Sequence, residues 1–467
     1  MFLAILMNCS INNRPVNDHR AAAFALAWLI VAALCFASAG AALAAESIAR
    51  FPPPDFGPDY VYPHSSQTPA RAGWLSWLDT AMLFLALGLT TFVVLVGRSR
   101  RALVWLSIGS LAYFGFYRKG CVCPIGATQN VAQALFDSSY VLPVVVILFF
   151  FAPLLLALIW GRVFCGGVCP FGALQDLVLL KPIRLPRWLD DALSRLRYVY
   201  LGLAMLFAAT GAGYLICEYD PFVGFFRMSG RFHILVWSFA LLFVAMFVGR
   251  PYCRFLCPYG ALLGLASRFS LRRVTITPDR CVVCGLCREA CPYGAIYEAD
   301  DPTIPRHAPG KTLLWVWLFP VVGALIAWHA APALARGHYM VQVAERVWLE
   351  ESRGLEERTL QSEAFRATGL PPETAYRQAA EVQASFRWGA PVFGAWCGLV
   401  AAMTILRQVA RRRRWEYEAG QADCLACARC YMACPVEHER LGLIAGETAA
   451  PPGRELALHA RGKVREG

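Results

Sequence analysis

Charge is what this sequence has least of. Asp, Glu, Lys and Arg make up only 16% of its 467 residues, while 57% are apolar and 13% aromatic. A chain so poor in charge cannot clothe a soluble globule of this size, so an integral membrane protein is expected. Histidine is scarce as well, at eight residues. No pair of them lies within one apolar run as a haem would need, and His233 stands alone near a helix start. None of the apolar runs holds the set of Asp, Glu, Lys or His side chains that lines a substrate path, which argues against a transporter. Acidic residues are outnumbered, 32 against 44 Lys and Arg, for a net charge of +12. The basic residues gather beside apolar runs, where positive-inside bias accounts for them, and nucleic-acid binding is not expected.

The apolar runs set out a polytopic α-helical fold. Residues 1–45 carry Arg14, His19 and Arg20, then an apolar run ending in small residues, the pattern of a signal peptide or signal anchor. Residues 46–73 are rich in proline and are expected to lie extended in the periplasm. Stretches able to span a hydrocarbon core of roughly 30 Å follow at 74–97, 102–117 (a short one), 140–160, 198–216, 233–249, 312–330 and 389–406, which predicts about seven transmembrane helices, five of them in a membrane domain over 74–270. Basic groups follow alternate helices: Arg98, Arg100 and Arg101; Lys181, Arg184, Arg187, Arg195 and Arg197; Arg254, Arg268, Arg272 and Arg273; and Arg411 to Arg414. That side is expected to be cytoplasmic. Residues 271–311 and 407–445 then emerge on it, 331–388 forms a periplasmic helical segment, and 446–467 is a flexible tail. His329 and His338 near that segment have no second ligand at metal-binding spacing and are read as packed residues.

Against these scarcities stand eighteen cysteines. In a reducing compartment so many thiols read as metal or redox ligands rather than disulfides. Cys281, Cys284, Cys287 and Cys291-Pro292 have the C-x2-C-x2-C-x3-C-P spacing of bacterial ferredoxins, and Cys424, Cys427, Cys430 and Cys434-Pro435 repeat it. In two-cluster ferredoxins the fourth cysteine of each run ligates the other cluster. The expected ligand sets of two [4Fe–4S] clusters are therefore Cys281, Cys284, Cys287 with Cys434, and Cys424, Cys427, Cys430 with Cys291. Zinc sites pair C-x-x-C knuckles rather than two complete four-cysteine runs each ending in proline. Arg288 and Arg429, inside the loops, are expected to raise the potentials by stabilising the more negative reduced state.

A second pattern repeats after 88 residues. Gly161-Arg162-Val163-Phe164-Cys165-Gly166-Gly167-Val168-Cys169-Pro170 returns as Gly249-Arg250-Pro251-Tyr252-Cys253-Arg254-Phe255-Leu256-Cys257-Pro258. Proline suits the first position of a helix, which puts Cys169 and Cys257 at helix N-termini, where a thiol is acidified. Cys165, Cys169, Cys253 and Cys257 are candidates for redox-active pairs or for the ligands of a further metal site. A weaker echo holds Cys121 and Cys123, and with Cys217 these are expected to face the periplasm, as a disulfide or a second redox station. Cys9, Cys35 and Cys397 look incidental.

With these turns, the Lys119-Gly120-Cys121-Val122-Cys123-Pro124 segment, Tyr219-Asp220-Pro221-Phe222 and the split ferredoxin, the chain resembles the membrane and C-terminal part of the NosR/NirI family. Related NapH-type quinol dehydrogenase components share these features. The resemblance implies a membrane iron–sulfur electron-transfer protein in the inner membrane. It would pass electrons between a cytoplasmic or quinone pool and a periplasmic reductase, or that reductase's carrier, in denitrification-type respiration. The same resemblance leaves open a redox-sensing assembly or regulatory factor for a periplasmic copper reductase. Gly126-Ala127-Thr128 lacks the Asp of a flavin-attachment sequence, and only 28 residues separate signal and first helix, so FMN and the family's periplasmic flavin domain are not expected.

Overall fold

The computed structural model describes residues 72–120, 123–227, 232–272, 274–276, 281–298, 312–353, 358–409 and 416–440. The expected signal segment 1–45, nearly all of 46–73 and the tail 446–467 lie outside them, as do Cys9, Cys35, Cys121, Arg273 and Arg411 to Arg414.

Four helices are long and apolar enough to cross a membrane: Gly73–Gly97, Trp188–Ala209, Val316–Ala335 and Pro372–Leu406. Seven spans of full length, as the apolar runs predict, are not found among the described residues. Pro143 caps the helix expected at 140–160, leaving Val144–Trp160 at 17 residues, ~26 Å against a core of roughly 30 Å. The run at 233–249 yields Phe232–Ala245, 14 residues or ~21 Å. The run at 102–117 becomes Arg100–Ser110 continued by a π-helical Leu111–Tyr117, with two arginines in its first turn. Ser107 and Ser110 on it are buried, and the Ser110 hydroxyl donates to the Val168 carbonyl. Arg195 and Arg197, expected in a loop, lie inside the helix Arg187–Ala209.

The chain forms two compact units, each described by itself. One joins the helices Thr312–Ala335, Tyr339–Arg353 and Pro372–Val409. The last is a single 38-residue helix, so the span expected at 389–406 continues a helix that starts within 331–388. Glycines let it touch Thr312–Ala335 backbone to backbone: a Cβ on Gly323 would stand 2.2 Å from the Gly394 carbonyl oxygen. Small residues at such crossings are how helices pack closely in lipid, where no hydrophobic force draws them together. His338 accepts the Met340 N–H at 3.0 Å and serves its own helix start.

The other unit holds the helices from Gly73 to Ala266 and both ferredoxin halves. Its interior is continuous from Leu83 and Phe149 in the long helices through the repeated turns to Cys430 and Tyr431. The helical layers therefore bury one face of each cysteine motif.

Candidate metal centre

Backbone pairing joins the two ferredoxin halves. Ile296 and Tyr297 pair antiparallel with Ala419 and Glu418. Gly420 N–H donates to the Ala295 carbonyl at 2.8 Å, and the Tyr297 hydroxyl donates to Asp423 at 2.8 Å. The halves then copy each other's backbone. Val283 and Gly285 have φ of 54° and 79°, and the corresponding Ala426 and Ala428 have 52° and 61°. Left-handed residues in such loops turn successive N–H groups into one concavity, a nest that suits anionic sulfur. Each loop enters a five-residue helix, Leu286–Ala290 or Arg429–Ala433, and these pack together.

That packing sets the fourth cysteine of the second half beside the first three of the other. A cavity of about 330 Å³, counting its open mouth, is lined by Cys281, Cys284 and Cys287 of the first half and by Cys434, Tyr417 and Val436 of the second. In the counterpart arrangement Cys291 lies within electrostatic reach of Cys424, Cys427 and Cys430. Burial pushes the Cys287 thiol up to about 11 and the Cys424 thiol up to about 12. Without a bound group these thiols keep their protons at neutral pH, and metal binding must displace them. Arg288 is held by Glu298 with both side chains partly exposed, so its leverage on a cluster potential is screened. Arg429 instead reaches Asp176 at 3.9 Å.

The repeated turns form a second, fully interior set of thiols. Cys165 lies in the short helix Val163–Gly167, and Cys169 precedes Pro170–Leu177. Cys253 lies in the π-helical Tyr252–Leu256, and Cys257 caps Pro258–Ala266, its Sγ accepting the Gly260 N–H at 3.2 Å. All four are buried, and the Cys169 and Cys253 thiols share a hydrogen bond. Gln175 donates to Cys253 Sγ at 3.4 Å and accepts the Tyr252 N–H at 3.0 Å.

The two repeats trade arginines. Arg250 of the second donates to the Cys165 carbonyl of the first, and its Nη1 lies 2.9 Å from where Gly172 would carry a Cβ. Arg162 of the first places Nη2 3.1 Å from where Gly260 would carry one. Gly172 and Gly260 occupy the same place in their repeats, as do Arg162 and Arg250, so the contacts are reciprocal. Asp176 gathers the surrounding cations: Arg250 at 2.8 Å, Arg100 at 3.3 Å and Arg429 at 3.9 Å.

Thiol set and ferredoxin half meet directly. A Cβ on Gly166 would stand 2.6 Å from the Ala426 carbonyl oxygen and 3.0 Å from that of Leu425. Arg162 donates to the Ala422 carbonyl at 3.0 Å and Arg100 to that of Cys427 at 3.0 Å. Because the obstacle at Gly166 is backbone, Gly166→Ala should cost about 1–3 kcal/mol and lower the thermal midpoint. Gly109→Ala, on a helix with open space around it, should be neutral or stabilising. Equal midpoints for the two variants would show that turn and loop are not in contact.

The weaker candidates fall nearby. Cys123 caps Pro124–Phe136 and shares a small apolar cavity with Cys169, Phe114 and Phe149. Cys217 Sγ lies 3.4 Å from where Gly126 would carry a Cβ. Cys123 and Cys397 are free thiols. Asp176, Gln175 and Gly166 escaped sequence reasoning. The Gly-Arg pair heading each repeat was the visible signal for the arginines.

Two stretches, 142–188 and 231–277, match a family model described as a 4Fe-4S binding domain, and 274–297 matches a second model of the same description. The first two contain the repeated turns and the third contains Cys281 to Cys291. YccM of Escherichia coli, linked by its name to electron transport, is 30% identical over 184 residues, 35% of this chain and 51% of YccM. The regulatory protein NosR of Pseudomonas aeruginosa is 33% identical over 184 residues, 35% of this chain and 25% of NosR. The uncharacterized protein MJ0750 of Methanocaldococcus jannaschii is 31% identical over 188 residues, 38% of this chain and 74% of that protein. The chain's relatives support a NosR/NirI-type family, matched over part of the chain. The chain spans about half the length of YccM and a quarter of NosR. No solved structure matches it. This NosR/NirI-type chain thus combines 4Fe-4S binding domains with apolar, membrane-length helices, and its relatives support a role in electron transfer.

Proposed function

We propose that this protein carries electrons across or along the inner membrane, between a cytoplasmic or quinone pool and a periplasmic denitrification-type reductase. Two [4Fe–4S] clusters serve it, one held by Cys281, Cys284, Cys287 and Cys434, the other by Cys424, Cys427, Cys430 and Cys291. The observation that carries this reading is that Cys434 lines the cavity of the Cys281 loop. Such clusters supply one-electron carriage at potentials set by hydrogen bonds, charge and solvent access. The chain's own residues bury Cys287, Cys291, Cys427, Cys430 and Cys434, and place Arg100 and Arg429 beside the Cys424 loop. The buried set Cys165, Cys169, Cys253 and Cys257 abuts that loop through Gly166 and extends the path.

The ferredoxin halves are assigned to the cytoplasmic face by the basic segments that follow alternate apolar runs. Glu363, exposed on Leu360–Ala367, is a suitable probe. An impermeant thiol reagent should label Glu363→Cys in intact spheroplasts, and labelling only after lysis would reverse the orientation. A second reading, a redox-sensing regulator or assembly factor, is favoured by the name of NosR. Rapid mixing of the anaerobically purified protein with a quinol analogue separates the two. A carrier bleaches its iron–sulfur absorption within turnover time, whereas bleaching orders of magnitude slower sinks the carrier reading and leaves the sensor.

A further inference from the structure

Beyond the repeated turns lies a pair of thiols that the iron–sulfur sites do not use. Cys123 caps the 13-residue helix Pro124–Phe136, and its Sγ accepts the Ile125 N–H at 3.4 Å and the Gly126 N–H as well. From the short helix Leu215–Tyr219, Cys217 brings its Sγ to 3.4 Å from where Gly126 would carry a Cβ. Both sulfurs therefore stand against Gly126, from different helices and within electrostatic reach of each other. The missing side chain at 126 leaves them room to approach. Gln129, one turn further along the same helix, accepts the Ile216 N–H at 3.0 Å and so holds the Cys217 helix in place. Its buried Nε2 has no hydrogen-bond partner among the described residues, an unspent donor beside the pair. Access differs between the two thiols: Cys217 is exposed and Cys123 half-buried. Cys123 also lines a small apolar cavity with Cys169 of the first repeated turn. The pair thus has an outward member and an inward member, the inward one next to a stretch that matches a 4Fe-4S binding domain.

We propose that Cys123 and Cys217 form a redox-active dithiol that passes electrons to a substrate disulfide. The exposed Cys217 attacks first: its thiolate bonds to one sulfur of the substrate, the substrate S–S bond breaks, and the other sulfur leaves as a thiolate. Cys123 then attacks the Cys217 sulfur of this mixed disulfide. The Cys123–Cys217 bond forms, the second substrate thiol departs, and the two protons of Cys123 and Cys217 end on the substrate thiols. Burial and the Asp220 carboxylate push the Cys123 thiol up, which suits the resolving partner rather than the one that attacks first. Two electrons and two protons reopen the internal disulfide, the electrons supplied singly by the iron–sulfur sites of this chain. The inference rests on the electron-transfer reading and gives its path an end, with Cys169 in the shared cavity on the side from which electrons arrive.

The full chain, purified anaerobically with its iron, is exposed to oxidised glutathione, and its thiols are mapped by alkylation and mass spectrometry. The peptides holding Cys123 and Cys217 should appear joined by a disulfide, with no glutathione retained. Cys123→Ser should instead trap glutathione on Cys217, and Cys217→Ser should abolish the link, both with the iron content of the unmodified protein. Dithionite that bleaches the iron–sulfur absorption should reopen the link in the unmodified protein. Cys424→Ala, or Cys281→Ala where that variant does not accumulate, should keep the link closed over the same interval. No link in protein with normal iron overturns the dithiol and leaves the electron-transfer reading standing. A link from Cys121 to either sulfur overturns this pairing. Reopening at the same rate in the iron-site variants, or a link that persists in bleached protein, overturns the supply of electrons and marks the bond as structural. Iron missing from the unmodified protein would defeat the iron–sulfur reading itself, and with it the source of electrons.

Discussion

Cys291→Ala is expected to strip iron from the loop containing Cys424, not from the loop in which it stands. Its own loop retains Cys281, Cys284 and Cys287, with Cys434 completing the cavity around them. The distant loop would keep three thiolates and lose a ligand from a site in which Cys427 and Cys430 are buried and Cys424 is half-buried. An open iron in that enclosed place has no ready solvent ligand, so loss of about four irons per chain is expected. Cys434→Ala should do the reverse and empty the Cys281 loop. Iron analysis together with EPR of each variant reads the result. If Cys291→Ala removes the signal that Cys281→Ala also removes, and spares the one lost with Cys424→Ala, the halves bind their clusters without exchange.

The second large effect is expected at Asp176. Burial alone would raise its pKa, but Arg250, Arg100 and the Tyr293 hydroxyl outweigh it and hold the carboxyl well below the usual range. Asp176→Asn keeps the shape and removes the charge. Arg250, 1% exposed, then loses its only carboxylate partner among the described residues, whereas Arg100 and Arg429 keep some access to water. Breaking a buried pair in this way costs about 3–5 kcal/mol, enough to lower the thermal midpoint by many degrees or to prevent accumulation. Because the folded-state pKa is depressed, the stabilisation is fully present above the ordinary carboxylate value of about 4. It is lost only as pH falls through the depressed value, so the gap between the two proteins should stay constant from about pH 5 to 8. A gap below about 1 kcal/mol would mean that an anionic group in the thiol site, not the carboxylate, neutralises Arg250.

Local chemistry made the membrane class, the two ferredoxin runs and the repeated turn legible in the sequence. A hydrocarbon core selects long apolar runs, and a cubane needs cysteines three residues apart on one tight loop. These constraints act within a dozen or so residues, so they leave a pattern that survives without coordinates. The count of full-length spans was less legible. Apolar composition alone does not show where Pro143 starts a helix, or that the Arg100 helix turns Ser107 and Ser110 inward. The pairing of Ile296 with Ala419, which brings Cys434 to the Cys281 loop, depends on two segments 123 residues apart in the chain meeting at one edge. The same holds for the arginines: Gly161-Arg162 and Gly249-Arg250 are visible as a repeat, but only the tertiary structure crosses them, setting Arg250 on the Cys165 carbonyl and Arg162 beside Gly260. Charge acts through space rather than along the chain, and burial multiplies it. The environment of the four interior thiols was therefore decided by packing, from residues that no local spacing marks.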